Sequence, residues 1–436
     1  MKRVLRWIGV CLLALVVLIA VMFTAYRLRG PSSVQREAVT LLQKDYRPVR
    51  GVNAFPLLWF MRYDVPEDQL DAHMAADVEV VRKRVAAGEI VASQEPGAPP
   101  LGEPPINRAD VCEIRAPDCL AKVAAKPAAV RTLVASHPAT LARAQLFARS
   151  DYYWNEFPAD YRAIVIAFPG DAQRLWLSSF ALQFIDGDRT GALAAACSNL
   201  NGWRRMTRGT NSLIGGMLAI SHGDGGIFLI ADMLAGLRDG EAVPAECAVA
   251  LQPIVAADVN RCAQMAGEFA VASTIIDQTI GANASKPWRS RAQDWLFFDE
   301  SQSVAWRAED FAAYCGEPAV ARMLVDESAR SEPLRPFTQR LECVSSLVGC
   351  FLADIAAPVY ADYDARTLDF AAHLRLAATL LWLRDQPSGS LSERFDERPQ
   401  SLRSSKHVSG VDEARSTLYV ENFYSKRETR FELPFV

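Results

Sequence analysis

Residues 175–203 read LWLSSFALQFIDGDRTGALAAACSNLNGW, and this stretch sets the fold class. Leu175 to Ile185 carries apolar residues on every side, as a helix does when it sits centrally in a core. Gly187-Asp188 then punctuates the chain. Glycine suits a helix C-terminus, where one left-handed residue closes the last turn, and aspartate suits the next N-cap, where its carboxylate accepts from a free N–H. Beyond it Leu193, Ala196, Leu200 and Trp203 recur at spacings of three and four, one stripe of a 3.6-residue helix. Cys197 lies beside that stripe and is predicted to be inside. Two helices joined by so short a connection form an antiparallel αα-hairpin. A second pair is expected at Asn211–Ser221 and Ile227–Leu237, with the glycine-rich turn His222-Gly223-Asp224-Gly225-Gly226 between them. No fixed period links the pairs, so a solenoid is not inferred.

Outward from this hairpin, the pattern is helical from Ala116 to Arg384. Toward the N-terminus, residues 31–50 read as a helix leaving the first segment. Val52–Tyr63 (VNAFPLLWFMRY) is apolar but short and interrupted by Pro56, so it is a core segment or a surface lying on a membrane rather than a span. A helix is predicted over Glu67–Ala87, with Pro66 at its start, where a missing N–H costs nothing. Residues 88–111 hold five prolines and three glycines, which predicts an exposed loop. Strand signal is confined to the end. Ser416–Tyr424 and Arg427–Phe435 alternate apolar and polar residues around Ser425-Lys426, a β-hairpin. The chain is therefore expected to be mainly α and more than half helical. Its parts are residues 1–30 as cytoplasmic start and anchor, 31–111 as juxtamembrane helices and Pro-rich loop, 112–385 as an αα-hairpin-rich body, and 386–436 as a C-terminal loop and hairpin.

Trp7–Tyr26 (WIGVCLLALVVLIAVMFTAY) contains no charge. Twenty residues at about 1.5 Å each reach about 30 Å, the thickness of a hydrocarbon core. Trp7 and Tyr26 stand at its two ends, where amphipathic rings favour the interface. A cleaved signal peptide would have a shorter apolar run and a small-x-small exit, whereas this exit reads Met22-Phe23-Thr24-Ala25-Tyr26. A lipoprotein signal would need a small residue before its cysteine, and Cys11 follows Val10. The expectation is one uncleaved span, residues 7–26, and no second one. Basic residues flank both ends, so charge favours an inside N-terminus only weakly.

Half of the 436 residues are apolar and 22% are charged, a normal globular balance. The net charge of −4 is +5 over the first 29 residues and −9 over the rest. A body of that sign repels phosphate backbones, so nucleic acid is not an expected partner. Eight cysteines lie outside the apolar segment: 112, 119, 197, 247, 262, 315, 343 and 350. An even number without a paired C-x2-C or a cysteine-histidine cluster suits four disulfides in an oxidising compartment. Cys112 and Cys119 bracket a polar turn with Pro117 and are expected to bond. Cys247 and Cys262 bracket a segment containing Pro253, whose closure would stabilise by about 3 kcal/mol. Cys343 and Cys350 would lie about 10.5 Å apart on one helix, so either the helix breaks near Gly349 or each pairs elsewhere. Cys197, Cys315, Cys343 and Cys350 then allow three pairings. The body is expected outside the cytoplasm, in the periplasm, with the span in the inner membrane.

The middle of the chain also resembles a known family. Gly187-Asp188, Trp203-Arg204-Arg205, Asn211-Ser212-Leu213-Ile214, Gly267-Glu268-Phe269 and WLFFDESQSVAWRAEDFAAY at 295–314 resemble an uncharacterised proteobacterial family of single-span, helical envelope proteins. Where that family commonly has Pro-Asn, this chain has Asp299-Glu300. The resemblance implies anchoring and a helical fold. No activity comes with it.

Several residues invite a chemical reading. Ser221-His222-Gly223-Asp224 holds the three residue types of a hydrolytic triad, but neighbours in sequence point apart, and a nucleophile elbow needs a strand before it. The expected role is a turn between helices. His73 and Asp77, four apart, offer two metal ligands where zinc needs more. A solvated helix face is expected there. His137, His373 and His407 are scattered, and Glu268 near Cys262 is expected to be structural. Trp203 is expected in the core, with Arg204 and Arg205 exposed or paired with acids. No catalytic, cofactor-binding or metal-binding residue is assigned, and no cofactor is expected. The functional expectation is a membrane-anchored protein that binds, scaffolds or protects in the cell envelope, with a partner there. An extracytoplasmic hydrolase using Ser221 and His222 is the alternative.

Overall fold

The computed structural model describes residues 2–91, 94–167, 169–238, 240–277, 287–330, 340–386, 389–424 and 429–435. It is 66% helical, with a small three-stranded sheet at the C-terminus. The first helix, α1 (Lys2–Arg29), is a candidate span: it is long and apolar enough to cross a membrane, and none of its most apolar window is buried. Helix α2 (Ser33–Leu42) follows after Gly30 and opens on a capping box between Ser32 and Gln35. Helix α3 (Ala54–Trp59) is buried at every residue, which settles the apolar 52–63 segment as core. Helix α4 (Leu70–Ala86) comes after a single 3-10 turn behind Pro66. Three short helices follow the Pro-rich loop: α5 (Cys119–Ala125), α6 (Pro127–Ala135) and α7 (Pro138–Arg149), the last two starting on proline.

The hairpin at the centre forms as the residue pattern implies. It consists of α8 (Gly170–Ile185) and α9 (Arg189–Arg208). Gly187 adopts a φ of 107° between them, and Asp188 Oδ1 accepts from Gly191 N at 3.0 Å. Leu193, Ala196, Cys197, Leu200 and Trp203 are all buried.

The expected second hairpin does not exist. Residues 213–236 form one unbroken helix, α10 (Leu213–Gly236), and His222–Gly226 is its middle. Each interior glycine costs a helix about 1 kcal/mol relative to alanine, so their cluster needs a reason. The reason is close approach. A Cβ on Gly225 would stand 1.8 Å from the Ile114 carbonyl oxygen, and one on Gly223 would stand 2.7 Å from the Phe370 ring. The glycines admit neighbouring segments against the helix and do not turn the chain. By composition α10 too could cross a membrane, but 78% of its apolar window is buried inside the body, so it is a core helix.

Short helices α11 (Ala245–Ala250) and α12 (Ala256–Val259) lead to α13 (Cys262–Ile276), α14 (Trp288–Phe297), α15 (Glu300–Ala312) and α16 (Gly316–Leu324). The longest helix, α17 (Leu347–Arg384), follows, and then α18 (Leu391–Asp396). One core cluster joins α3, α4, α7 to α10 and the C-terminal half of α17 to the sheet. A second joins α2, α13, α15 and α16 to α17 at Leu368 and Ala371. In the sheet, β1 (Ser409–Asp412), β2 (Thr417–Glu421) and β3 (Arg430–Pro434) run antiparallel in that order. The β2–β3 hairpin matches the alternating pattern, with Leu418 opposite Leu433 and Val420 opposite Phe431, all four buried. Its expected turn, Ser425-Lys426, lies outside the described residues. Strand β1 carries no alternation, because SGVD lies in a polar stretch, and only its pairing with β2 makes it a strand.

Three disulfides form: Cys112–Cys119, Cys197–Cys247 and Cys343–Cys350. The first is the expected one. The Cys247–Cys262 closure is not made. Helix α11 packs on α9 and turns Cys247 toward Cys197, while Cys262 sits in the second core cluster beside Cys315. Cys343 and Cys350 reach each other because a 3-10 turn over Leu341–Ser345 stops at Ser346 before α17 begins. The break therefore comes three residues earlier than Gly349.

Candidate functional site

Ser221, His222 and Asp224 lie on one helix, and the helix separates them. His222 turns into the core. Its Nδ1 lies 2.6 Å from Leu218 O, and its ring stacks on Trp203 at 4.4 Å. Burial depresses its pKa to about 4, so the ring is held neutral. Ser221 and Asp224 face another way, into a small cavity of about 110 Å³ that Arg115, Arg366, Asp369, His373, Asn422 and Tyr424 also line. Four separate segments meet there.

The histidine that reaches Asp224 is thus His373 of α17. Its Nδ1 is 2.8 Å from Asp224 Oδ1, its Nε2 is 2.8 Å from Asn422 Oδ1, and its ring lies on Phe431 at 3.7 Å. Arg115 stands 3.6 Å from the other Asp224 oxygen. A general base would have to offer Ser221 a ring nitrogen, and both nitrogens of His373 are already engaged. A water's share of liquid volume is about 30 Å³, so the cavity itself holds a few waters.

The same stretch of α17 carries a second polar knot. Asp369 accepts from His407 Nε2 at 3.0 Å, from Phe423 N at 2.7 Å and from Tyr424 N at 3.0 Å. Asp326, in left-handed backbone at φ 58° just past α16, accepts from Arg375 at 2.5 Å and from Ser405 N at 2.6 Å. Burial opposes charge on Asp326, but His407 and Arg375 outweigh it and hold the carboxyl at about 2. Burial likewise opposes charge on His407, but the carboxylates of Asp326 at 3.8 Å and Asp369 at 3.0 Å raise its pKa overall. These groups tie the C-terminal segment to α17.

The remaining candidates are structural. Asp77 is not on a solvated face: it is buried and accepts from Trp59 Nε1 at 2.8 Å and from Gly97 N at 3.1 Å, while His73 lies edge-on to Phe60. Among the described residues no group of three or more His, Cys, Asp or Glu is placed to hold a metal ion. His137 bridges Leu133 O and Pro104 O, both at 2.8 Å, and so fastens the Pro-rich loop to α6. Trp203 is core. Arg204 is fully buried and grips Asp258 with two hydrogen bonds of 2.8 and 2.7 Å, while Arg205 caps Ser150 O at 2.7 Å. Burial raises the carboxyl of Glu268. The Cys262 sulfur receives Gly316 N at 3.2 Å, and the adjacent Cys315 leads the groups that lower the Cys262 thiol to about 7.

Comparison with family models, curated proteins and solved structures returns no match.

The geometry of the surface is then the remaining guide. A cleft of about 830 Å³ opens between α3, α4 and α7. Pro56, Leu57, Leu70, Met74, Val78 and Leu146 form its apolar floor. Its rim carries both signs: Arg47, Arg82 and Arg149 with Glu67, Asp71 and Glu156. Arg47 pairs with Glu156, and Arg149 stands 3.9 Å from Glu67. Nothing in the residue pattern announced this cleft, because its walls come from residues 47 to 156 and close only when α4 packs across α3.

Proposed function

We propose that this chain is a membrane-anchored, extracytoplasmic binding protein, tethered by α1 in the inner membrane, whose cleft receives a peptide segment of a partner in the cell envelope. The observation that carries the reading is the cleft. It has ligand-sized volume, an apolar floor that includes an adaptable methionine, a few polar groups in its wall (Asn53, Ser150) and charged groups at its rim, an arrangement that supports binding. A rim of both charge signs suits a polypeptide, which carries both, better than a uniformly charged ligand. Three disulfides in the body support an oxidising compartment, hence the periplasm. The bare apolar surface of α1 supports the tether, and the resemblance to single-span envelope proteins agrees with it.

The test places a photo-crosslinking benzoylphenylalanine at Ala75, on the cleft wall, in the full-length protein in native membranes. A discrete adduct is expected, with its yield falling when Arg82→Glu and Arg149→Glu are added. The proposal fails if Ala75 yields no discrete adduct, or if a control position at Glu413 yields the same one.

A further inference from the structure

We infer that the body rests on the bilayer surface through an apolar collar around the foot of α1, built by α14 and the first turns of α17. This goes beyond the tether, and it rests on the reading that α1 spans. Helix α14 (WRSRAQDWLF) has no buried residue at all, and Trp288, Trp295, Leu296 and Phe297 are between 47% and 68% exposed. A ten-residue helix is marginal by propensity alone and needs a surface to pack on. Val348, Phe351 and Leu352 at the start of α17 are also exposed and, at spacings of three and four, share one face. The 3-10 turn over Leu341–Ser345 lies against α1, α14 and α17, so both apolar faces sit beside the anchor.

The contacts to α1 identify what covers them. Phe23 meets the Trp295 ring edge-on at 5.3 Å. Arg27 donates to Trp295 O at 2.7 Å, Phe298 O at 3.0 Å and Ser345 O at 2.9 Å, and stands 3.4 Å from Asp299. Phe23 lies three residues inside the apolar run that ends at Tyr26, about 4.5 Å along the helix. A side chain that touches Phe23 is therefore at the depth where hydrocarbon gives way to headgroups. Tryptophan favours that zone, and the same short helix carries Arg289 and Arg291 against one acid, Asp294, a net positive charge where anionic headgroups stand. The occupant is the lipid surface, because the patch is continuous with the helix that enters it.

The experiment uses the full chain in liposomes of phosphatidylethanolamine and phosphatidylglycerol, with benzoylphenylalanine at one position at a time: Leu13, Phe297, Leu352 or Val408. Val408 is exposed and adjoins His407, whose partner Asp369 is about 27 Å along α17 from Phe351. After photolysis, lipid adducts are read by mass spectrometry. The expected result is adducts at Leu13, Phe297 and Leu352, several-fold above Val408. Adducts at Leu13 alone overturn the collar and leave the span standing. Protein–protein adducts in place of lipid at Phe297 and Leu352 overturn it in favour of a second copy. Absence of adducts at Leu13 overturns the span itself and the collar with it.

Discussion

Gly225→Ala and Gly226→Ala, adjacent and chemically identical changes, should move stability in opposite directions. On a helix each gains about 1 kcal/mol from propensity. At Gly226 the new methyl meets nothing closer than Leu200 Cβ at 3.6 Å, an ordinary contact, so the gain should survive. At Gly225 the methyl would lie 1.8 Å from Ile114 O and 2.9 Å from its carbon. Relief needs a backbone shift of more than about 1 Å, and overpacking of that kind costs about 3 kcal/mol or more. Ile114 cannot retreat freely, because Cys112–Cys119 closes its loop and Cys112 N is bonded to Ser178 at 2.8 Å. The net loss is at least about 2 kcal/mol. With an unfolding entropy of about 2.1 cal/mol/K per residue over roughly 400 residues, each kcal/mol is about 1 °C in Tm. Circular dichroism melts of the full-length protein in detergent should show Gly225→Ala falling by about 2 °C or more and Gly226→Ala unchanged or raised by about 1 °C. If Gly225→Ala melts with the wild type, or Gly226→Ala is the more harmful, the close-approach account of these glycines is wrong.

Alkylation of denatured protein should label three thiols before reduction (Cys11, Cys262 and Cys315) and nine after it, and eight body thiols before reduction would remove the disulfides. Arg204→Met removes the buried guanidinium from Asp258, leaving it Arg208 and Val255 N, and should cost up to about 3 kcal/mol, seen as a fall in Tm of a few degrees. Acid should destabilise through His222. Its folded pKa of about 4 lies below the usual 6.5, so its contribution is complete above 6.5 and is lost as pH falls through 4. A melting series from pH 7 to 4 should be flatter for His222→Gln than for wild type. His407 works with the opposite sign, its contribution complete below pH 6.5 and lost as pH rises through its elevated folded value, so His407→Gln should flatten the alkaline limb of the same series.

What could be read in the residues was what short-range periodicity encodes. The stripe through Leu193, Ala196, Leu200 and Trp203, the Gly187-Asp188 junction and the β2–β3 alternation each depend on neighbours within a few positions, and each is where the pattern placed it. The misreadings all involve partners far away in the chain. Gly223 and Gly225 look like a turn because glycine permits a turn and permits close approach equally well, and only Phe370 and Ile114 distinguish the two. Cys247 looked like a partner for Cys262 because the loop between them is short, yet the packing of α11 on α9 decided for Cys197. The Ser221 cavity was invisible for the same reason. His373 stood alone in sequence, and Arg115, Asp369 and Asn422 carried no motif at all.

Buried polar pairs hold α17 in place. At 38 residues it runs about 57 Å, far longer than local propensity or one amphipathic face would hold to a single line. Its apolar N-terminal turns stand beside the foot of α1, through Arg27 and Ser345. Its far half is pinned by Asp224 on His373, by Asp326 on Arg375 and by His407 on Asp369. Buried ion pairs of this kind add little net stability, but removing one partner is costly, so they act as a register lock. A helix locked at one end into the core and set at the other beside the candidate span transmits the position of the anchor to the body.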